Sequence, residues 1–301
     1  MALVGPTATG KSSLALKLAR RFRGEIINAD SVQVYRRMDI GTAKPSAEDR
    51  QLVPHHLVDI LDLDEVYSAA IFRQEADKII WRLHERNTPI FVVGGTGLYL
   101  KALTRGLFRG PAANPELRSA LRKKAEREGS EILHDELREL DPEAAARIHP
   151  HDQIRIIRAL EVYSLNRKPI SLLQREHGFR EAPYDVLKIG LGCEREDLFR
   201  RIEDRVDSMI ERGWVEEVRS FLNQGYGPGL KSTQSLGYRH ILSHLCGGLP
   251  LRETIFLIKR DTRRYAKRQI TWFKADPEIF WFPANEENFQ TIERIVARFF
   301  E

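Results

Sequence analysis

The chain has 301 residues, 42% hydrophobic and 30% charged. That is the balance of an ordinary globular protein, long enough for an α/β core with an insertion or for two domains. No apolar run approaches the ~20 residues that span a bilayer, and the first apolar residues run straight into a glycine loop, so neither a membrane span nor a signal peptide is expected. Cys193 and Cys246 have neither metal-type nor redox-type spacing, which predicts a reduced, cytoplasmic setting. The net charge of +5 is a weak pointer to a polyanionic partner.

Ala2-Leu3-Val4 reads as the end of a buried strand, and it leads into Gly5-Pro6-Thr7-Ala8-Thr9-Gly10-Lys11-Ser12. This octet fits the phosphate-loop pattern G-x-x-x-x-G-K-[ST]. Leu14, Ala15, Leu18, Ala19 and Phe22 follow at helical spacing. In a strand–loop–helix of this kind, backbone N–H groups and a helix N-terminus converge on an anion. Lys11 would add positive charge at the outer phosphates, and the Ser12 hydroxyl would hold Mg2+.

The first helix is expected to stop near Gly24, a natural C-cap. Residues 25–29 read as a second buried strand with Asp30 at its carboxyl end, where parallel sheets meet their ligands. Residues 30–35 and 41–45 read as loops over that site. In the strand-like stretch 54–60, His55 and His56 point to opposite faces, which favours structural hydrogen bonding over metal binding. An amphipathic helix is predicted over 68–86. A strand over 90–93 then runs into a second glycine turn, Gly94-Gly95-Thr96-Gly97, at the same sheet edge.

From Ala113 the character changes. Asn114-Pro115 and Asp141-Pro142 are helix starts, and no strand pattern interrupts residues 114–183. The helix over 152–165 puts Arg155 and Arg158 on one face, read equally well as solvated or as phosphate-contacting. Strand pattern returns over 186–191, followed by helices over 196–212 and 215–223, a glycine-rich loop, and a further helix opened by residues 234–239. In the helix over 251–274, Lys259, Arg260, Arg263, Arg264, Lys267 and Arg268 face one acid, Asp261. This one-signed excess favours contact with a nucleic-acid backbone, while Trp272 and Phe273 read more safely as core. A strand over 278–282 and an amphipathic helix close the chain. The predicted fold is α/β, a P-loop NTPase-like parallel sheet flanked by helices. Its core comprises residues 1–112 and 183–301, with an all-helical insertion over 113–182.

A hydrolytic switch needs a second acidic strand terminus to hold Mg2+ and position water, and the strand over 90–93 ends in glycines instead. A small kinase using Asp30 as that acid is the rival reading, but it gives the basic helix no task. An RNA-binding ATPase regulator is a further alternative, and it predicts RNA-stimulated ATP hydrolysis.

Six blocks, in order along nearly the whole chain, resemble the signature of the tRNA dimethylallyltransferase family: 5–12, 30–35, 38–45, 54–59, 94–99 and 264–273. The resemblance implies transfer of a dimethylallyl group from its diphosphate to the exocyclic amine of the adenosine 3′-adjacent to the anticodon of tRNA. On that reading Gly5, Pro6, Thr7, Ala8, Thr9, Gly10, Lys11, Ser12 and Ser13 grip a diphosphate rather than a nucleoside triphosphate, with Mg2+ at Ser12. Asp30, Thr96 and Lys11 match catalytic positions. The tRNA-side positions match Asp30, Ser31, Val32, Gln33, Thr96, Arg118, Arg155, Arg158, Gln234, Gly237, Tyr238, Arg239, Lys267, Arg268, Gln269, Trp272 and Lys274. Arg205 and Arg219 are candidates to approach the diphosphate, without an assigned place. Only four residues precede Gly5, so an abbreviated first strand is expected. The absence of a zinc-finger extension after Phe300 points to a bacterial-type enzyme, expected to be a monomer.

Overall fold

In the computed structural model, which describes residues 1–301, the strands are β1 (Ala2–Val4), β2 (Glu25–Asn28), β3 (His55–His56), β4 (Ile90–Val93), β5 (Lys188–Gly192) and β6 (Ile279–Pro283). The helices, in chain order, are α1 (Lys11–Phe22), α2 (Ala47–Leu52), α3 (Ala69–Glu85), α4 (Gly97–Arg105), α5 (Pro115–Glu128), α6 (Ser130–Leu140), α7 (Pro142–Arg147), α8 (Gln153–Asn166), α9 (Ile170–His177), α10 (Arg195–Glu211), α11 (Trp214–Asn223), α12 (Tyr238–Gly247), α13 (Leu251–Lys274) and α14 (Glu287–Phe300). They divide into two compact units, Met1–Thr104 with Tyr184–Glu301, and Arg105–Pro183.

The first unit is built on a parallel sheet of order β3-β2-β4-β1-β5-β6. The inner strands are apolar on both faces because helices cover both sides. Side chains alternate accordingly. Ala2, Val4, Ile27 and Val92 pack with Phe72, Tyr99, Trp214 and Phe221 on one face. Leu3, Ile26, Phe91 and Ile189 pack with Ala15, Leu18, Ile292 and Val296 on the other. With β1 between β4 and β5, the loops after β1, β2 and β4 emerge at one carboxyl edge.

Two local expectations are corrected. Helix α1 ends on Arg23, which takes the left-handed conformation at φ 52° and is the C-cap in place of Gly24. Gly24 is small for another reason: a Cβ there would lie 2.5 Å from the Pro89 carbonyl oxygen. The stretch 54–60 keeps only two strand residues because Leu57 and Asp59 both adopt positive φ. The turn presents the Asp59 carboxylate to buried Lys44 and to Arg50. His55 and His56 do hydrogen-bond, to the Val53 carbonyl and the Glu25 carboxylate.

The second unit is all helical. Leu133, Leu137, Ile156, Leu160 and Val162 form its core, and Phe108 packs against it. Residues 105–112 fold with this unit. Asn114 and Asp141 accept the Leu117 and Ala144 amides at the starts of α5 and α7. At its centre lies Glu161, fully buried, which takes two bonds from Arg118, one from Arg158 and the Asn114 amide. Burial works against the charge, but these donors hold the Glu161 carboxyl below the usual carboxylate range. Replacing Glu161 by Ala leaves two arginines and an amide without their acceptor. We expect a loss of about 2–3 kcal/mol, discounted because both arginines reach solvent. Denaturant unfolding followed by helical circular dichroism checks it.

Candidate active site

The turn after β1 is shaped by backbone that only small residues allow. Gly5 sits at φ 136° and Gly10 at φ 79°, and Ala8 between them is also left-handed at φ 65°. A Cβ at Gly5 would lie 2.3 Å from the Leu191 carbonyl oxygen of β5. The Thr9 hydroxyl donates to the Pro6 carbonyl at 2.9 Å. Helix α1 then starts on Gly10 with no side-chain cap and no acid in its first turn. Its N-terminal amides and positive dipole end are thus left for an anion, with Ser12 and Ser13 exposed beside them.

The Lys11 ammonium donates to the Pro6 carbonyl at 2.6 Å. Burial, and after it the charge of Arg205, lowers its pKa to about 7, while Asp30 pulls the other way. Arg205 of α10 donates to the Thr42 carbonyl at 3.4 Å. Its own pKa is lowered by burial, with Asp30 opposing. Lys11, Arg205 and Asp30 thus feel one another's charge. Arg219, in contrast, is exposed and pairs with Glu216. No periodicity distinguishes Arg205 from the other arginines of α10, so sequence reasoning left it unplaced.

Asp30 is held by its own loop. Its Oδ1 accepts the Val32 amide at 2.8 Å and the Gln33 amide at 3.2 Å, a turn that fixes the carboxylate. The Thr96 hydroxyl accepts the Ser31 amide at 3.2 Å, and the Thr96 amide donates to the Ala29 carbonyl. Threonine and aspartate are therefore stitched together from adjacent strands. Gln33 braces the loop above by donating to the Thr42 and Ala43 carbonyls.

Helix α13 closes this edge from outside. Gln269 bonds the Thr7 amide and the Gly95 carbonyl. The Tyr265 hydroxyl is driven upward in pKa by burial and then by the charge of Asp30.

Several residues matched to tRNA contacts are placed differently. Tyr238 is 1% exposed and donates to Glu217 at 2.7 Å. Gly237 is buried beside it, against Trp214. Gln269 is likewise buried. Exposed Gln234 bonds the Pro228 carbonyl, and exposed Arg239 pairs with Asp261.

Much of the basic excess on α13 is also neutralised. Lys259 and Arg263 pair with Asp207 and Glu203 of α10, and Arg260 and Arg264 with Asp261. Lys267, Arg268 and Lys274 stay exposed. So does Trp272, at 44%, while Phe273 alone of that pair is core. In the helical unit Arg118 and Arg158 are tied to Glu161, and Arg155 is exposed and pairs with Asp152.

No group of three or more His, Cys, Asp or Glu side chains here would hold a metal ion. The Ser12 hydroxyl beside an uncapped helix start is a single hard oxygen donor. That set suits a divalent cation bound mainly through phosphate oxygens and water. No helix is long and apolar enough to cross a membrane.

A protein-family model described as IPP transferase matches residues 33–276. The chain is 54% identical over 300 residues to tRNA dimethylallyltransferase 2 of Geotalea uraniireducens (strain Rf4), covering 99% of this chain and 96% of that one. It is 51% identical over 298 residues to tRNA dimethylallyltransferase of Geobacter sulfurreducens, covering 98% and 95%. Among solved structures it is similar to the full-length tRNA isopentenylpyrophosphate transferase of Bacillus halodurans, with TM-score 0.74, 40% identity and coverage of 99% and 95%. It is also similar to a eukaryotic dimethylallyltransferase acting on tRNA, with TM-score 0.79, 28% identity and coverage of 98% and 77%.

The lowered Lys11 pKa gives a pH test with a definite sign. Free Lys11 is half neutral near pH 7, whereas a bound diphosphate holds it charged. Binding above that pH takes up a proton, so affinity for inorganic diphosphate falls between about pH 6.5 and about pH 8.5. The same fall is smaller in Lys11→Arg, whose charge does not titrate. Calorimetry in buffers of different ionisation enthalpy measures the uptake.

Proposed function

We propose how this chain, which belongs to the IPP transferase family of tRNA dimethylallyltransferases and is a tRNA-modifying prenyltransferase, carries out its reaction. The acceptor is the exocyclic amine of the adenosine 3′-adjacent to the anticodon, and the donor is dimethylallyl diphosphate. The amine nitrogen forms a bond to the allylic carbon while the carbon–oxygen bond to the diphosphate breaks. The bonding pair leaves with the diphosphate, and the amine loses a proton. The observation that carries this reading is the uncapped glycine loop with Lys11, at the sheet edge where the Ser31 amide ties the Asp30 loop to Thr96: a cradle for a departing anion beside a carboxylate for the amine.

Negative charge accumulates on the diphosphate in the transition state. Lys11, Arg205 and the amides of residues 9–13 stabilise it where it develops. Mg2+ held at Ser12 would neutralise further phosphate charge when bound. Asp30, fixed through Oδ1, offers its other oxygen to the amine, and Thr96 beside it orients the same group. An adenine amine is a poor nucleophile, so alignment contributes more than proton removal. The base must leave its stack, at a cost of about a few kcal/mol. Exposed Lys267, Arg268 and Lys274 offset part of this on the phosphates, and Trp272 supplies a stacking face. On the helical unit, exposed Arg155 offers a phosphate contact of its own, while Arg118 and Arg158 hold Glu161. We assign the enzyme to the cytoplasm as a monomer.

The deciding test is transfer of label from dimethylallyl diphosphate to unmodified tRNA, beside an ATP-hydrolysis control. Label in tRNA without ATP consumption supports the reading, and ATP turnover without transfer overturns it. In the same assay Asp30→Ala abolishes turnover while leaving tRNA affinity within about threefold. Loss of tRNA binding would make Asp30 a docking residue instead. Replacing Lys267 and Arg268 by Ala weakens tRNA binding and lowers the salt slope by up to ~2. An unchanged slope places that face away from RNA.

A further inference from the structure

We propose that Gln269 is a positioning residue for prenyl transfer, whose carboxamide holds the phosphate loop and the Thr96 turn in a fixed register. This rests on the reading above and deepens it. Gln269 is 6% exposed. Its Oε1 accepts the Thr7 amide at 2.9 Å, and its Nε2 donates to the Gly95 carbonyl at 2.9 Å. One side chain thus joins the loop proposed to grip the leaving diphosphate to the turn that carries Thr96 and, through Ser31, reaches the Asp30 loop.

The chemistry asks for glutamine. The Thr7 amide needs an acceptor and the Gly95 carbonyl a donor, and a carboxamide supplies both on one rigid group. Glutamate lacks the donor at neutral pH, asparagine is a methylene shorter, and leucine has neither group. The partners have adapted to it. A Cβ at Gly95 would lie 2.2 Å from Gln269 Nε2, so the glycine there admits the carboxamide.

Sheet pairing between β1 and β4 aligns Ala2 with Val92 and Leu3 with Val93. Beyond those strands no sheet pairing ties the phosphate loop to the Thr96 turn, and Gln269 joins the two. Prenyl transfer needs the allylic carbon and the amine nitrogen in line, and a displacement of about 1 Å costs on the order of 100-fold in rate.

The test compares wild type, Gln269→Leu and Gln269→Glu by single-turnover transfer from saturating dimethylallyl diphosphate to an anticodon stem-loop. Melting temperature and stem-loop affinity are measured alongside. Gln269→Leu is expected to lower the single-turnover rate about 10- to 100-fold, with stem-loop affinity within about threefold. Gln269→Glu keeps the acceptor for Thr7 and loses the donor to Gly95. Protonating that carboxyl restores a donor, so its rate relative to wild type rises as the pH falls toward about 5. A structural tie alone would not produce that pH signature. Should Gln269→Leu fail to fold, the Gln269→Glu profile decides, and a flat ratio across pH overturns the proposal. A melting temperature that drops while the rate stays within about threefold also overturns it. So does weaker stem-loop binding at an unchanged rate, which would return Gln269 to the RNA surface. A wild-type enzyme silent in the assay refutes the prenyl-transfer reading itself, and this inference with it.

Discussion

At the carboxyl edge of the sheet, backbone meets backbone at distances that exclude a Cβ. The Leu191 carbonyl oxygen lies 2.3 Å from the place a Gly5 Cβ would take, and the Ala29 carbonyl oxygen 2.1 Å from that of Gly94. These two approaches let the chain turn sharply as it leaves β1 and β4, so that both turns stay against the sheet. The phosphate loop and the Thr96 turn then open toward the same space, with Asp30 following β2 on the far side of β4. A larger residue at either place displaces a main-chain strand end, not a flexible side chain. The site is therefore a property of sheet geometry before it is a property of any charged residue.

Charge adds the next constraint. Lys11 and Arg205 are both lowered in pKa, chiefly by burial, and each is supported by Asp30. One carboxylate does not balance two cations in a desolvated pocket. Lys11 accordingly sits near half protonation at neutral pH. An incoming polyphosphate supplies the missing negative charge and converts an unfavourable arrangement into a paired one. A preference for an anion follows from the same imbalance, because a neutral ligand leaves the two cations as unsatisfied as before. The lysine of the loop is thus poised by its surroundings rather than by its own hydrogen bond to Pro6.

What the sequence made legible was local. The phosphate-loop octet, the parallel-strand runs and the Asn-Pro and Asp-Pro helix starts each carry their structural reason within a few residues. Asp30 was legible because a strand terminus is itself a local feature. What escaped depended on partners far away in the chain. The basic stripe of α13 looked unneutralised because Glu203 and Asp207, which pair with Arg263 and Lys259, lie on α10. Arg205 became interpretable only once α10 was seen beside the Thr42 loop and the phosphate loop. Gly24 lies one residue past the Arg23 C-cap of α1, and its smallness answers to Pro89, one strand away.

Helix α13 shows why a recognisable block need not be a single surface. Lys267, Arg268 and Gln269 are consecutive, yet at 100° per residue they cannot share a face. The first two reach solvent, while the third turns inward with Ala266 and Phe273. A block that recurs as a unit is therefore divided between an outer face able to meet an RNA backbone and an inner face that fixes the reacting loops. Trp272 straddles the division: 44% exposed, it lies where a Cβ at Gly97 would meet its ring at 2.1 Å. Assigning every residue of such a block to one ligand merges two physical tasks, and burial separates them.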